Sequence, residues 1–484
     1  MIGILAIAVA LAALMYLAYR GISLLILAPA LAAMVALVSV ETPLLASYTQ
    51  VFMGAAGDFI VKYFPLFLLG AIFGKLMEDS GSAEVLANAI VRSLGASRAM
   101  LAVVFSCAVM TYGGVSLFVV AFAVYPIAAA LFRKSDIPKR LIPGTIALGA
   151  FTFTMTARPG TPAIQNAIPM PYFGTTPFAA PGLGILTGLL MLVLGQAWLN
   201  YRAGKAHAAG EGYGEHGDDA PAGFDKHLRE RASGEGFDLM EIPPEAAPRG
   251  LPPLSLAVLP IVLVIGLNLV FTTLVIPAMD TSYLAEPQFG ATTIDSVRGV
   301  WSVIAALVIA ILVLVISNLQ RLPKLTATLD SGANASLLPI FNTASLVGFG
   351  SVIASLAAFE MISGWITSVG GDNPLISLAV AVNVLAGMTG SASGGMSIAL
   401  ATLGDTYLAM GEAMGISPEL MHRVTSVATG GLDALPHNGA VITLLSICGL
   451  THRQAYLDIA VVAVLVPIVS LVFLIMAGTF LGTF

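Results

Sequence analysis

Long apolar runs separated by short polar stretches dominate the pattern along the chain. A membrane-spanning helix needs about 20 mostly apolar residues, because the hydrocarbon core of a bilayer is about 30 Å thick. The runs that fit predict ten spanning helices, at residues 2–19, 22–40, 59–77, 140–156, 177–200, 252–279, 297–318, 335–353, 421–448 and 455–481. The first charge, Arg20, follows the first run, so we interpret that run as a spanning helix and not as a cleaved leader.

Two further runs, 99–132 and 373–404, have lengths that fit neither one span nor two. As a single helix the first would be about 51 Å long at 1.5 Å per residue, whereas two spans need about 40 residues and a turn. Basic residues, Arg98 and Arg133, flank it on both sides. We therefore predict two re-entrant hairpins, near 99–132 and near 375–410, which turn at TYGGVS and SASGGMS.

Composition agrees with this pattern. Of the 484 residues, 57% are hydrophobic and only 10% are charged, whereas a soluble domain carries about 25% charged residues. The predicted class is an all-α polytopic membrane protein. The two cysteines, Cys107 and Cys448, lie in apolar runs and suit buried hydrophobic positions better than a disulfide.

The positions of Lys and Arg predict the orientation, because basic loops stay on the cytoplasmic side. With both termini outside, most basic residues fall inside. The loops without Lys or Arg, which then fall outside, cover residues 41–58, 280–296 and 405–420. Lys62, Arg298 and Arg423 disagree, and each is expected near a helix end, where a long side chain reaches the interface.

One long polar segment divides the chain. Residues 201–250 are rich in Gly, Ala, Pro, Asp and Glu, which predicts a flexible cytoplasmic loop, with a regulatory role as the alternative. The order of features in 1–200 returns in 251–484. Each part has a glycine-rich span, a short amphipathic segment, a GG-x-S hairpin and a broken motif, which reads RPGTPAIQN in the first part and DALPHN in the second.

The charge pattern assigns about five spanning helices and one hairpin to each part, so the second repeat must be inverted relative to the first. Inverted repeats with helices broken at matching positions are typical of secondary transporters, whose substrate binds where the repeats meet. The sequence therefore predicts a transporter of a small molecule.

The hairpin turns and broken helices are the candidate substrate site. Unpaired backbone N–H groups and helix N-termini bind carboxylates without a buried lysine, and glycines let the backbone approach the anion. Close helix packing by small residues is the competing explanation. The candidate substrate-binding residues are Thr111, Gly113, Gly114, Ser116, Arg158, Gly160, Thr161, Gln165, Asn166, Thr389, Ser391, Ser393, Gly394, Gly395, Ser397 and Asn438.

Ionisable residues inside a membrane are costly and typically functional. Arg158 is a candidate partner for the substrate carboxylate; the alternatives are that it snorkels or pairs with an acidic residue. Asp433 and His437 lie four residues apart, so one helical face could carry both as a proton-coupling pair. Alternatively, Asp433 caps a helix interrupted at Pro436, and His437 bonds a carbonyl.

Three segments resemble the gluconate permease (GntP) family: FLLGAIFGKLMEDSGSAEVLANAI, PGTPAIQNAIPMPYFGTTPFAAPG and GGLDALPHNGAVITLL. The resemblance covers nearly the whole chain outside 201–250. It implies an elevator-type carrier of the wider ion-transporter superfamily, a homodimer in the cell inner membrane, and a substrate such as gluconate, another sugar acid or 3-hydroxybutyrate. The sugar-acid carriers have a His/Pro-rich stretch where this chain has TARPGTPAIQN, which favours a smaller carboxylate.

The leading hypothesis is a proton symporter that imports a small hydroxy-monocarboxylate, gluconate-like or 3-hydroxybutyrate-like. A carboxylate that enters a negative-inside cell alone is opposed by about 2.3 kcal/mol per 100 mV, and one proton removes this cost. The alternatives are a sodium-coupled di- or tricarboxylate symporter, an intramembrane enzyme and a channel.

The remaining expectations concern partners and site variants. The histidines lack metal-ligand spacing and no GxxxxGK[ST] occurs, so we expect no metal, organic cofactor or nucleic-acid partner, only the anion, the coupling ion and the lipid bilayer. We expect Asn166→Ala and Asn438→Ala each to abolish transport and to leave expression intact.

Overall fold

The computed structural model describes most of the chain. The described residues are 2–20, 22–39, 43–115, 117–216, 250–371 and 373–484. Within these ranges the secondary structure is helical, without a β-strand. Of the predicted loop 201–250, the start continues a helix as far as Ala208, and 217–249 lie outside the described residues.

Eleven helices lie in the described part of the chain before that loop. They are α1 (Ile2–Tyr19), α2 (Leu24–Ser39), α3 (Leu44–Asp79), α4 (Ser82–Leu94), α5 (Ala99–Tyr112), α6 (Leu117–Lys134), α7 (Ile142–Ala150), α8 (Phe153–Thr156), α9 (Ile164–Ala167), α10 (Pro169–Phe173) and α11 (Pro181–Ala208).

Nine helices follow the loop among the described residues. They are α12 (Leu254–Ala278), α13 (Ile294–Asn318), α14 (Leu325–Ala354), α15 (Ala357–Ser368), α16 (Pro374–Thr389), α17 (Ala392–Ala413), α18 (Pro418–Leu432), α19 (Gly439–Ile447) and α20 (His452–Leu481).

Six of the described helices are long and apolar enough to cross a membrane, namely α3, α11, α12, α13, α14 and α20. Helices α1, α2 and α16 are apolar but shorter. The prediction of an all-α polytopic membrane protein is confirmed, and the chain is a multi-pass membrane protein.

Two of the ten predicted spans are not continuous helices. The run 140–156 ends as a helix at Ala150, because Thr152 has φ −113° and ψ −115°, which no helix accommodates. The run 421–448 is divided between α18 and α19 by the non-helical residues 433–438. Pro436 lies in this break and cannot donate a helical hydrogen bond. The break at 433–438 coincides with the predicted broken motif DALPHN, whereas the end of the first run at Ala150 lies before the predicted broken motif RPGTPAIQN and was not predicted.

Both predicted hairpin runs consist of two helices packed against each other across a short break. Helices α5 and α6 meet at Gly114, whose φ of +95° suits only glycine, and α16 and α17 meet at Gly390, whose φ is +62°. Such breaks and packing are what a hairpin requires. The depth of each turn in a bilayer stays a prediction.

The packing of one half returns in the other. Helix α2 packs on α14 as α13 packs on α3, and α5–α6 and α16–α17 are equivalent pairs. Helices α3 and α14 run antiparallel, because a Cβ on Gly348 would lie 2.8 Å from the carbonyl oxygen of Phe52 and one on Gly332 would lie 2.8 Å from Cα of Ile72. This contact needs glycine at both positions of α14. The arrangement supports two related halves of opposite orientation, which stays a prediction.

A charged cluster joins the ends of α7, α11 and α20. Asp458 is 1% exposed and accepts from Arg202 Nε at 2.8 Å, Arg140 Nη1 at 3.3 Å and Trp198 Nε1 at 3.1 Å. Arg140 also donates to both carboxylate oxygens of Glu211, at 2.6 and 2.8 Å, and these hydrogen bonds lower the pKa of Glu211. The charge pattern predicts that Arg140 and the loop after residue 200 lie on the same side of the membrane, and in the structure Arg140 contacts Glu211 of that loop.

We predict that Asp458→Asn destabilises the protein by about 3 kcal/mol, since two guanidinium groups lose their shared buried carboxylate. Thermal unfolding of the purified protein in detergent measures this. The matched control is Asp295→Asn, because Asp295 is 69% exposed and 3.9 Å from Arg298; it should change stability by less than about 0.5 kcal/mol. Equal effects of both changes would show that the cluster is not structural.

Candidate functional site

Two neighbouring cavities lie where the hairpins meet the broken helices. The larger contains about 710 Å³ of space free of protein atoms. Its polar side chains are Thr111, Gln165 and Ser393, and Gly114 contributes backbone. The rest of its lining is apolar and comes from Leu66, Phe67, Gly70, Ala71, Val115, Leu117, Met155, Pro162, Ala163, Ile164 and Leu307.

The smaller cavity contains about 350 Å³ and is more polar. It carries a carboxyl group, from Asp433, and an amide, from Asn438. Both cavities share Leu117, Met155 and Gln165. The remaining lining residues of the smaller cavity are Phe151, Thr156, Ala392, Ala434 and Ala440.

Gln165 lies in the wall between the two cavities. It is 7% exposed, and its Oε1 has no hydrogen-bond partner among the described residues. Its backbone carbonyl accepts from Ser426 Oγ at 3.0 Å, which fixes the chain at this point. A buried amide oxygen without a partner is unfavourable, so Gln165 has an unused acceptor in the cavity wall that a ligand could satisfy.

The first hairpin turn places two predicted residues in the larger cavity. Thr111 lines it with a buried Oγ1 that has no partner among the described residues. Gly114 lines it as well, and a Cβ there would lie 2.9 Å from Cγ of Pro162. Gly113 instead contacts α12, because its Cβ would lie 2.7 Å from the Ile261 side chain. Ser116 lies outside the described residues.

The second hairpin turns earlier than predicted. The turn is at Gly390, whereas Gly394 and Gly395 lie in the first turn of α17. Gly395 matches the packing explanation, because a Cβ there would clash with the backbone of Ala386 in α16. The sequence pattern placed the turn at Gly394 and Gly395 because the GG-x-S letters match those of the first hairpin. In the structure these glycines follow the helix N-cap Ser391, whose Oγ accepts from the N–H of Gly394 at 3.1 Å.

The hydroxyl groups near this second turn have different surroundings. Thr389 Oγ1 donates within the chain, to Leu385 O at 2.8 Å, and is used locally. Ser393 lines the larger cavity. Ser397 is fully buried, and its Oγ has no partner among the described side chains and backbone.

Arg158 is not brought to either cavity. Its guanidinium lies 5.4 Å from the centre of the Phe153 ring and 5.9 Å from that of Tyr112, in cation–π contacts. The described residues give it no ion pair. The predicted contact between Arg158 and a substrate carboxylate is therefore not supported by its position.

The carbonyl groups of the first broken helix are held from several directions. Pro159 O accepts from the Tyr112 hydroxyl at 2.7 Å, and Gly160 O accepts from Asn268 Nδ2 of α12 at 3.2 Å. The hydroxyl of Thr161 accepts from the N–H of Ala163 at 3.3 Å. Gly160 and Thr161, both predicted to bind substrate, thus belong to the frame of the site and do not line the cavities.

Asn166 lies at the centre of a buried network. Its Nδ2 donates to Thr161 O and Pro177 O, both at 3.0 Å. Its Oδ1 accepts from Arg423 Nη1 at 3.1 Å and lies 3.2 Å from His422 Nε2. Since Oδ1 only accepts, His422 Nε2 is the donor. All polar atoms of this side chain are used by the protein, so Asn166 fixes the broken segment and is not free for a substrate.

Sequence analysis missed His422 and Arg423. The expectation that Arg423 snorkels to the interface is wrong, because the side chain is fully buried. Its guanidinium donates to Ala179 O at 2.7 and 3.1 Å and to Thr156 O at 3.0 Å. The sequence offered one signal, a pair of ionisable residues at the start of the predicted span 421–448, but nothing indicated that carbonyl groups of the other half would be their partners.

Asp433, His437 and Asn438 do not share a helical face. Helix α18 ends at Leu432, Asp433 follows as its C-cap, and the chain to Asn438 is non-helical, so the predicted proton pair on one face is wrong. Asp433 lines the smaller cavity, whereas His437 Nε2 lies 3.0 Å from Gly387 O, as the carbonyl-bonding alternative expected.

Asn438 combines two roles. As the N-cap of α19 its Oδ1 accepts from the N–H of Ala440 at 2.6 Å, and its Nδ2 donates to Gly390 O at 3.0 Å. It therefore ties the second hairpin turn to the second broken helix, and it also lines the smaller cavity.

Comparison with known proteins identifies a family. No protein-family model matches the chain. The uncharacterized transporter YxjC of Bacillus subtilis (strain 168) is 46% identical over 456 residues, which cover 93% of each chain. The chain belongs to the family of this transporter. An uncharacterized transporter of Haemophilus influenzae is 33% identical to the present chain over 98 residues, which cover 20% of the present chain and 23% of that transporter.

Two solved structures share the fold. The YdaH transporter of Alcanivorax borkumensis, described as having an unusual topology, matches with a TM-score of 0.55 at 16% identity, over 91% of this chain and 90% of that one. MtrF of Neisseria gonorrhoeae, described within a class of antimetabolite efflux pumps, matches with a TM-score of 0.50 at 11% identity, over 90% and 83%. The protein is thus a transporter in fold and family, while the resemblance to gluconate permeases stays a prediction.

We predict opposite stability effects for two adjacent amides. Asn166→Leu should lower the free energy of unfolding by about 3 kcal/mol, because it leaves several buried polar groups without partners. Gln165→Leu should be neutral or stabilising within about 1 kcal/mol, because the lost amide oxygen had no partner. Thermal unfolding in detergent of both variants decides this, and a more destabilising Gln165→Leu would contradict the network. This replaces the expectation that an Asn166 variant leaves expression intact.

Proposed function

We propose that this transporter imports a small hydroxy-monocarboxylate by proton symport across the cell inner membrane. The observation that carries the proposal is the position of Gln165, whose partnerless amide oxygen lies between a mostly apolar cavity and a cavity with a carboxyl group. Both hairpins and both broken helices contribute to these cavities, as expected for a substrate bound where two repeats meet.

The lining of the larger cavity favours a short apolar acid over a sugar acid. Gluconate carries hydroxyl groups along its whole carbon chain, and each one needs a partner once it leaves water. Among the described residues, the larger cavity offers side-chain polar groups only from Thr111, Gln165 and Ser393. A 3-hydroxybutyrate-like anion, with one hydroxyl, one carboxylate and a methyl end, needs fewer partners and gains from apolar contact.

The carboxyl group of Asp433 is the proposed proton carrier. It lines the smaller cavity, and none of the described basic residues forms an ion pair with it. A carboxyl group without a counter-ion inside a membrane protein favours its protonated form. With one proton bound to Asp433 and the anion in the neighbouring cavity, the loaded carrier has the same charge as the empty carrier with an ionised Asp433, so uptake of one anion with one proton moves no net charge.

Sodium coupling is a second candidate. Two buried hydroxyl oxygens, Thr111 Oγ1 and Ser397 Oγ, have no partner among the described residues, and oxygen atoms of this kind are suitable ligands for a hard cation. The choice between the two ions is open to direct measurement.

We expect purified protein in liposomes to accumulate labelled 3-hydroxybutyrate when an inward proton gradient is imposed in sodium-free buffer. Unlabelled 3-hydroxybutyrate should compete at least about tenfold better than gluconate, because unpaired substrate hydroxyls cost binding energy. Liposomes without protein are the control. Uptake that requires sodium would favour the second candidate, and better competition by gluconate would refute the substrate assignment.

We expect Asp433→Asn to abolish uptake driven by a pH gradient and to retain exchange of internal for external substrate, because an amide binds no proton but leaves the cavity shape intact. The measurement compares net uptake with counterflow in the same liposomes. Asp405→Asn is a suitable control, since Asp405 lines neither cavity. If Asp433→Asn keeps gradient-driven uptake, this residue is not the proton carrier.

A further inference from the structure

Arg423 is a buried cation whose hydrogen-bond partners are not acids. It is fully buried in α18, and within the described part of the chain no Asp or Glu forms an ion pair with it. A buried charge without a carboxylate is expensive. It is stabilised by hydrogen bonds to two backbone carbonyls and one side-chain amide.

These three acceptors lie at separate points of one segment, residues 156–179, in which the short helices α9 and α10 alternate with non-helical backbone. Thr156 O is at its start, where α8 ends, and Ala179 O is at its end, just before α11. Asn166 Oδ1 is in the middle. The planar guanidinium has five N–H groups in a fixed fork, so one side chain can bind all three acceptors at once. Arg423 therefore sets the shape of the whole segment from 156 to 179.

Gln165 depends on this shape. It precedes Asn166 in the short helix α9, and its own carbonyl accepts from Ser426, which lies on the same helix as Arg423, one turn further along. Helix α18 thus holds Asn166 and Gln165 by hydrogen bonds from two of its neighbouring turns. The side chain of Gln165 is left pointing at the two cavities, without a protein partner for its Oε1.

We propose that Arg423 is a positioning residue for substrate binding: by clamping 156–179 it positions Gln165 so that Oε1 accepts a hydrogen bond from the hydroxyl group of the transported hydroxy acid. The inference rests on the proposed substrate site at Gln165. The clamp requires the planar, forked shape of the guanidinium group and not only its positive charge. A lysine at 423 keeps the charge, but its compact ammonium cannot reach three acceptors that are spread along the segment.

Hydrogen exchange tests the clamp without reference to any substrate. Arg423→Lys and Arg423→Gln should each speed amide exchange in peptides from 157–180 at least about tenfold, because the opened segment has lost its main donor. Exchange in α3 and α14 should stay unchanged. Arg321→Gln is the matched control, because among the described residues the Arg321 side chain bonds only nearby Asn318, at 3.3 Å. This change should leave exchange at 157–180 unaltered. Unchanged exchange at 157–180 in both Arg423 variants would overturn the proposal.

Transport kinetics test the role of the clamp in binding. Arg423→Lys should raise KM for 3-hydroxybutyrate about tenfold and keep the maximal rate within about twofold, because the loss is one of substrate contact. Combined with Gln165→Ala, it should add little to the effect of Gln165→Ala alone, since both changes remove the same contact. Additive effects on KM, or a fall in maximal rate alone, would refute positioning.

The two proposals fail separately. If Gln165→Ala leaves uptake of 3-hydroxybutyrate unchanged, the proposed substrate site is wrong, and the exchange experiment still decides whether Arg423 clamps the segment. If neither Arg423 variant assembles, while Arg321→Gln does, Arg423 is required for folding and the positioning role is overturned.

Discussion

The structure depends on finding a hydrogen-bond donor for each backbone carbonyl that a broken helix frees inside an apolar protein. Non-helical backbone survives at membrane depth only where other protein groups or a wet cavity satisfy it. Here the donors come from side chains of other elements, such as Tyr112 in the first hairpin and Asn268 in an apolar helix beyond the loop. Because the donors come from several different helices, satisfying the backbone also fixes how those helices pack.

The two broken helices meet this requirement in different ways. The first relies mainly on fully buried side chains, with Arg423 at the centre. The second uses side chains that are partly open: the Tyr456 hydroxyl donates to Ala434 O at 3.2 Å, and His452 Nε2 lies 2.8 Å from Pro436 O. A segment held by solvent-exposed hydrogen bonds opens more easily than one held by buried hydrogen bonds. The first segment is therefore the more rigid wall of the site, and the second lies beside the carboxyl group proposed to exchange protons.

The same constraint explains why the cavities are where they are. Where helices of both halves are interrupted at matching places, their ends lie close together. The side chains there do not fill all of the space between these helix ends. Once the backbone groups have hydrogen-bond partners within the protein, few polar groups are left for a ligand. Those that remain without a partner, such as Gln165 Oε1 and Thr111 Oγ1, therefore indicate where a ligand binds. A carrier needs binding of this modest kind, because a ligand held by many strong contacts would not be released on the other side.

The sequence by itself determined the class and predicted the hairpin runs and the broken motif at 433–438, because apolar length, Gly, Pro and charge are local properties of the chain. It also brought Gln165, Asp433 and Asn438 into the candidate set. Only the tertiary structure decided that Asn166 is consumed by its neighbours, that Arg158 stacks on aromatic rings away from the cavities, and that Arg423 is buried. Those outcomes depend on partners up to 267 residues away along the chain, and no local pattern records which distant carbonyl a side chain will meet.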